Sequence, residues 1–133
     1  MTLRELPPDE CWELLSRNEV GRLGIVVRGY PEILPVNYGV ARGRVLLRSD
    51  AGLKLRHTHF ERVCFEVDDV DPMARTGWSG LLRGDLHEMD ERDPFGVDLD
   101  AAAAQIRPWA GGPKDHVLVV TPVETSGRQV LPD

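Results

Sequence analysis

The chain has 133 residues, of which 41% are hydrophobic and 29% are charged, as is typical of one soluble globular domain and not of a disordered chain. Its 16 basic and 22 acidic side chains give a net charge of -6, which disfavours binding to the phosphates of nucleic acids. No apolar run reaches the roughly 18 residues of a membrane span, and the N-terminus lacks a signal-peptide pattern. Because Cys11 and Cys64 form no metal-binding motif, we expect a cytoplasmic protein with reduced thiols.

The first part of the chain predicts a short helix followed by a β-meander. The helix begins near Pro8, with Asp9 as its N-cap. Three strands are predicted at residues 21–28, 33–41 and 44–49. Turns separate them at residues 29–31 and at Arg42–Gly43. Since proline cannot donate a hydrogen bond to a neighbouring strand, Pro35 marks an edge, a bulge or a break in the second strand.

The second part of the chain adds three strands and two helical segments. These are a helix within residues 50–60, strands at 63–68 and 77–88, a helix at 98–107, and a strand from about residue 116. Val63, Phe65 and Val67 alternate with polar residues, which predicts one buried strand face. Three glycines, at positions 77, 80 and 84, predict a bend or bulge in the long strand. Without regular crossover helices, the pattern indicates a mainly β protein, a six-stranded antiparallel barrel with short helices.

A phosphate-binding group is one candidate site. Arg48 and Ser49 end a strand, and Lys54 follows in the next predicted helix. A guanidinium fork, a hydroxyl, an ammonium and the backbone N–H groups at a helix start together suit a phosphate monoester. The alternative is an ordinary solvated strand end, since no Walker-type loop is present.

A second candidate is a surface for a flat heterocycle along residues 35–38. Pro35 and Val36 belong to an irregular strand whose backbone groups could serve such a ring, while Asn37 donates and accepts, and Tyr38 stacks or hydrogen-bonds. The alternative is an edge strand with a core valine and tyrosine. Trp78–Ser79, between two glycines, could close over a ligand, or Trp78 could fill the core or an interface.

Other chemistries find less support in the sequence. His57 and His59 have no cysteine or carboxylate nearby to complete a usual metal site, so we predict no metal. The acidic run from Glu66 to Asp71 lacks the spacing of a calcium loop and is interpreted as an acidic loop patch. No motif for nucleophilic catalysis is present, and catalytic residues are not assigned.

The order of these segments resembles the pyridoxamine 5'-phosphate oxidase-like flavin-binding split-barrel family, and within it a short bacterial branch of nitroimidazole-reductase type. The resemblance covers about residues 5 to 130. It is carried by VGRLG at 20–24, LPVNY at 34–38, VLLRS at 45–49 with GLKL at 52–55, VCFEVD at 63–68, GWS at 77–79 with RG at 83–84, and the end of the chain at 117–121 and 127–128.

The resemblance implies a single flavin-binding split-barrel domain over residues 1–133, with FMN at a homodimer interface and a small-molecule substrate. Residues 35–38 would lie along the isoalloxazine, mainly through backbone contacts. Arg48, Ser49 and Lys54 would hold the phosphate. Trp78 and Ser79 would approach from the partner subunit or support that wall.

Two positions depart from the branch. Arg48 stands where those reductases tend to have histidine, and Gly80 stands where a larger apolar residue is common. The substrate-phosphate residues of true pyridoxamine-phosphate oxidases have no match, so their reaction is not expected. An FMN-dependent oxidoreductase is the leading interpretation. The alternatives are a reductase using the deazaflavin F420, a flavin or haem carrier or sensor, and a barrel kept for dimerisation alone.

Overall fold

The computed structural model of the chain describes residues 1–48, 60–107 and 117–133. The helix predicted within residues 50–60 lies outside these ranges except at Phe60, which begins a strand, and the loop predicted at 108–113 lies outside them. The helices are α1 (Pro8–Leu15) and α2 (Leu99–Gln105). The strands are β1 (Thr2–Glu5), β2 (Val20–Val27), β3 (Tyr30–Ala41), β4 (Arg44–Arg48), β5 (Phe60–Asp71), β6 (Thr76–Glu88) and β7 (Leu118–Leu131).

Six strands close into an antiparallel ring. Their order is β7-β4-β3-β2-β5-β6, and β6 pairs back with β7 over almost its whole length. The predicted mainly β fold with a six-stranded antiparallel barrel is therefore confirmed. Closure leaves the ring itself with few open edges, which are otherwise templates for aggregation.

A seventh strand, β1, lies outside the ring and was not predicted. It pairs with the last residues of β7, from Thr2 opposite Leu131 to Glu5 opposite Arg128. All four of its residues are exposed. Because no apolar alternation marks it, its structure depends on the strand it joins rather than on its own sequence.

Helix α1 packs against β7 and β6. The N–H of Leu6 donates to the carbonyl oxygen of Gly127 at 2.9 Å, and Cys11 packs against the same glycine. A β-carbon at Gly127 would lie 2.5 Å from the Cys11 sulfur, so only glycine allows this approach. The helix begins at Pro8 with Pro7 as its N-cap. The prediction of Asp9 at that position was wrong, because the fixed φ of proline suits the first helical residue.

Two tight hairpins set the register of β2, β3 and β4. Val27 pairs with Tyr30 across Arg28–Gly29, and Ala41 pairs with Arg44 across Arg42–Gly43. All four turn residues have positive φ, between 52° and 82°, as two-residue hairpins of this twist require. The second turn is as predicted. The first turn begins one residue earlier than predicted, so Tyr30 belongs to β3.

The main core lies inside the ring and includes Val63, Phe65 and Val67, which confirms the predicted buried face of β5. A second, smaller cluster lies outside it, where α2 and Met89 cover Leu46 of β4 and Val119 of β7. The predicted irregularity of β6 is a register shift between Arg83 and Gly84. These two cores leave the outer face of β2, β3, β5 and β6 uncovered within the described chain.

Candidate cofactor site

Asn37 and Arg48 lie side by side on the outer face of the barrel. They are opposite one another in the β3–β4 ladder, and both are half-buried. Their neighbours Tyr38 and Leu47 point inward and are buried, so the alternation of the strands turns Asn37 and Arg48 outward. The structure thus joins one residue of the predicted ring-binding segment to one of the predicted phosphate-binding group.

Pro35 lies just before this pair, where β3 loses one of its two neighbours. β4 pairs only with residues 37–41 of β3, whereas β2 pairs with residues 30–37. Within the described residues, Pro35 therefore belongs to an edge, as its inability to donate predicts. Backbone groups at such an edge are available to the polar rim of a planar ligand.

Helix α2 holds the Arg48 side chain over this face. One guanidinium nitrogen, Nη1, donates to the carbonyl oxygen of Ala103 and, at 3.0 Å, to that of Ile106. A cation is favourable beside carbonyl groups at the C-terminal end of a helix. Ser49 and Lys54, which are predicted to bind a phosphate together with Arg48, lie outside the described residues. The phosphate-binding group therefore stays a prediction.

Val36 and Tyr38, by contrast, point into the barrel. Tyr38 is 4% exposed, and its hydroxyl donates to the carbonyl oxygen of Leu15 at 2.5 Å. Its ring meets that of Phe65 edge-on, with 5.1 Å between centroids. Burial raises the pKa of the hydroxyl above its ordinary value. The Tyr38 hydroxyl is therefore suited to tying α1 to the barrel and not to supplying protons, and any cofactor contact here is left to the backbone.

Tyr38→Phe is expected to lower the free energy of unfolding by about 1 kcal/mol, the net value of one buried hydrogen bond, and to leave ligand binding on the outer face unchanged. Urea unfolding of both proteins measures this. Tyr30→Phe is the matched control, because Tyr30 is 75% exposed and surface changes stay within about 0.5 kcal/mol. Equal effects of the two substitutions would contradict the structural role of Tyr38.

Trp78 and Ser79 project to opposite faces of β6. Trp78 packs against the main core, whereas Ser79 faces outward, opposite Asp68 of β5 and Arg128 of β7. Strands β2 and β5 lie between β6 and β3. Three strand spacings, about 14 Å, therefore separate Ser79 from Pro35. One chain therefore does not bring these predicted site residues into direct contact.

Three residues between these positions were missed as a site by sequence reasoning. Arg22 is opposite Pro35 on one side and Glu66 on the other. Its Nη1 atom lies 3.7 Å from Oε1 of Glu66 and 3.8 Å from Oδ1 of Asp68. Burial, together with the Asp68 carboxyl, raises the pKa of Glu66 to about 7, although Arg22 opposes the shift. The interpretation of these acidic residues as a loop patch was wrong, because Glu66 to Asp71 all belong to β5. The alternation along residues 63–68 is the sequence signal that places Glu66 and Asp68 on one face of a strand.

Arg22, Glu66 and Asp68 form a row on the outer face. An apolar cleft of about 550 Å³ adjoins this row. Its lining includes Gly24, Ile33, Cys64 and Val123. Ile33 is 74% exposed and Val123 is 81% exposed. A contiguous apolar surface of this kind is typical of a binding or association surface.

A family model for pyridoxamine 5'-phosphate oxidase matches residues 7–129. The chain belongs to this family. The family resemblance seen in the sequence motifs is thereby confirmed, over nearly the same residues.

Individual known proteins are similar to this chain. The Mycobacterium tuberculosis protein Rv0080, itself uncharacterized, is 29% identical over 135 residues, covering 97% of this chain and 86% of the relative. The solved structure of an FAD-binding protein from Mycobacterium smegmatis is 27% identical with a TM-score of 0.70, covering 98% of this chain and all of that one. An FAD-binding protein from Mesorhizobium loti, at 22% identity and a TM-score of 0.75 over 98% and 100% of the two chains, shares the fold.

No group of three histidine, cysteine, aspartate or glutamate side chains in the described part of the chain is arranged to hold a metal ion. No helix in residues 1–48, 60–107 or 117–133 has the length and apolar character needed to cross a bilayer.

Proposed function

We propose that the protein is a flavin-dependent oxidoreductase that binds FMN between the subunits of a homodimer and acts on a small molecule in the cytoplasm. The observation that carries the proposal is the pairing of Asn37 with Arg48 beside the open edge of β3. The structural relative from M. smegmatis, 27% identical over the whole fold, is an FAD-binding protein. FMN and FAD share the isoalloxazine ring and its first phosphate, the parts that these residues suit.

The donor set fits the two polar ends of such a cofactor. Edge backbone groups near Pro35 and the amide of Asn37 suit the donors and acceptors of the ring. Arg48, with Ser49 and Lys54 beyond it in the sequence, suits the phosphate. When bound, the flavin supplies the hydride chemistry, while the protein supplies position and electrostatics. Three local donors outweigh the screened net charge of -6.

A second copy of the chain supplies the rest of the site in this proposal. Pro35 and Ser79 lie three strands apart within one subunit, and an exposed apolar cleft adjoins the row of residues between them. Packing two such faces together would bury Ile33 and Val123 and bring Ser79 of the partner subunit toward the edge of β3. The arrangement would also cover the outer face that the two cores leave open.

Arg48→Ala is expected to weaken FMN binding by roughly 10- to 100-fold, the effect of losing a charged hydrogen bond. Titration of flavin-free protein, followed by quenching of FMN fluorescence, measures the dissociation constant. Arg42→Ala is the matched control, because Arg42 is an exposed turn residue that precedes the same strand. Melting temperatures of both variants separate binding from folding, since Arg48 also bonds to α2. Unchanged affinity in folded Arg48→Ala would overturn the assigned role.

A further inference from the structure

The apolar cleft lies where the regular strand pairing of the barrel is interrupted. On β5, two residues separate Phe60 from Val63, but only one residue separates the two positions opposite them on β6. Arg62 belongs to this β-bulge, is exposed and lines the cleft. Bulges are frequent beside binding and active sites, because the extra residue redirects a side chain out of the regular alternation.

A second bulge lies at the same level on the other side of β6. Arg83 and Gly84 are adjacent on β6, whereas one residue, Val123, separates their partners on β7. Val123 is 81% exposed and lines the same cleft. A β-carbon at Gly84 would overlap the carbonyl oxygen of Thr121, so β7 can approach this closely only because Gly84 has no side chain. Two local irregularities therefore shape one cleft.

The floor of the cleft is low and apolar at Gly24. A β-carbon at this position would lie 2.5 Å from the Cys64 sulfur, so the thiol occupies the space over the glycine. A thiol in such a place behaves as a small hydrophobic group. Ile33 is opposite Gly24 on β3, and Val123 lies at the far end of the cleft on β7. The cleft is therefore suited to the apolar part of a small molecule.

Two arginines give the cleft positive charge. Arg62 is exposed, and Arg83 pairs with Glu124 at 3.4 Å in an ion pair that solvent weakens, since both side chains are more than half exposed. Glu32 also lines the cleft, but it alternates with Ile33, so its side chain belongs to the opposite face of β3. The two arginines and Glu124 leave one net positive charge, which is complementary to a single anionic group.

The cleft lies beside the proposed cofactor. Ile33 is two residues from Pro35 on the same face of β3, about 7 Å away. Glu66, two residues beyond Cys64 on β5, is paired with Arg22 at 3.7 Å, which offsets its charge. A molecule in the cleft can therefore place one end against a planar ring at the open edge of β3.

We propose that the cleft is the substrate site and that it takes an apolar molecule bearing one carboxylate. This inference rests on the proposed function. The apolar part would lie over Gly24 and Cys64 and extend toward the cofactor. The carboxylate would accept hydrogen bonds from Arg62, whose planar guanidinium matches its geometry. In the homodimer, Ile33 and Val123 would contact the partner subunit, and the low floor at Gly24 would leave room for the substrate between the subunits.

The first test uses flavin-free protein and 2-naphthoate, with 2-naphthalenemethanol as its uncharged counterpart. By isothermal titration calorimetry, we expect the acid to bind roughly 10-fold more tightly than the alcohol, the effect of one charged hydrogen bond. Arg62→Gln should remove most of this preference, whereas Ile33→Ser should weaken both ligands alike. Arg92→Gln is the matched control, because Arg92 is exposed before α2 and outside the cleft. Equal binding of acid and alcohol to the wild type, or an unchanged preference in Arg62→Gln, would overturn the proposal.

The second test asks whether the bound acid lies against the flavin. Added to protein loaded with FMN, 2-naphthoate should shift the flavin absorption bands of wild type and of Arg92→Gln. The concentration that this requires should rise roughly 10-fold in Arg62→Gln. Binding of 2-naphthoate without a change in the flavin spectrum would overturn this inference and leave the proposed function standing. Failure of the wild type to retain FMN would overturn both.

Discussion

Asp93→Ala is expected to destabilise the protein by about 3–5 kcal/mol, because it leaves the Arg44 charge buried without its partner. Arg44 is 1% exposed. Its two terminal nitrogens donate to the two carboxylate oxygens of Asp93, each at 2.8 Å, and its guanidinium lies 4.2 Å from the centre of the Phe95 ring. Thermal unfolding should show a fall in Tm of more than about 10 °C.

The double variant Arg44→Met/Asp93→Leu is the control, since replacing a buried ion pair by apolar groups is often neutral or stabilising. We expect it to be more stable than Asp93→Ala. A loss below about 1 kcal/mol in Asp93→Ala would mean that water reaches the pair and that the segment before α2 is not anchored by it.

The same ion pair makes stability depend on acid. The hydrogen bonds from Arg44 hold the pKa of Asp93 below its ordinary value of 3.8. As the pH falls, the unfolded chain therefore protonates Asp93 before the folded chain does. The stability that the ion pair contributes is fully present above about pH 4 and is lost as the pH falls through the lowered pKa of Asp93. Urea unfolding between about pH 2.5 and 6 should show a smaller acid loss in Asp93→Asn than in wild type.

Phe65→Ala is expected to cost about 3–5 kcal/mol of folding free energy. Phe65 is fully buried at the centre of the barrel, where its ring meets Tyr38 and covers Gly21 of β2. A β-carbon at Gly21 would overlap the Phe65 ring, so a larger residue at that position would force the ring to move. Equilibrium urea unfolding measures the loss.

A double-mutant cycle with Gly21→Ala tests this packing directly. Alone, Gly21→Ala should cost about 1–3 kcal/mol through overpacking. In the Phe65→Ala background the added methyl group enters the cavity, so its cost should fall by more than about 0.5 kcal/mol. Additive effects would contradict the close contact between the glycine and the ring.

The strands of the ring could be predicted because their signals are local. Alternation of Val63, Phe65 and Val67 with polar residues fixed the inner face of β5, and Arg42–Gly43 fixed a hairpin. β1 has no such signal: its four exposed residues are ordered by pairing with β7. The Arg44–Asp93 ion pair joins residues 49 positions apart. Neither residue lies in a sequence motif that predicts the contact.

Part of the candidate site could be predicted because its signals are also local in sequence. Asn37 and Arg48 are near in sequence across one hairpin, so their juxtaposition follows from register alone. The inward direction of Tyr38 depends on which face of β3 meets the core, and Pro35 obscured that alternation. The row Arg22, Glu66 and Asp68 requires β2 to pair with β5, a contact between segments more than 40 residues apart that alternation within one strand does not specify.

The central claim is that this chain binds a flavin between two subunits. The most direct measurement is an absorbance spectrum of purified protein, recorded after FMN has been added and the excess removed by gel filtration with light scattering. We expect flavin bands that co-elute with a species of twice the chain mass and that disappear when Arg48 and Lys54 are both replaced by alanine. Protein that elutes without flavin bands, or that retains F420 or haem instead, would contradict the claim.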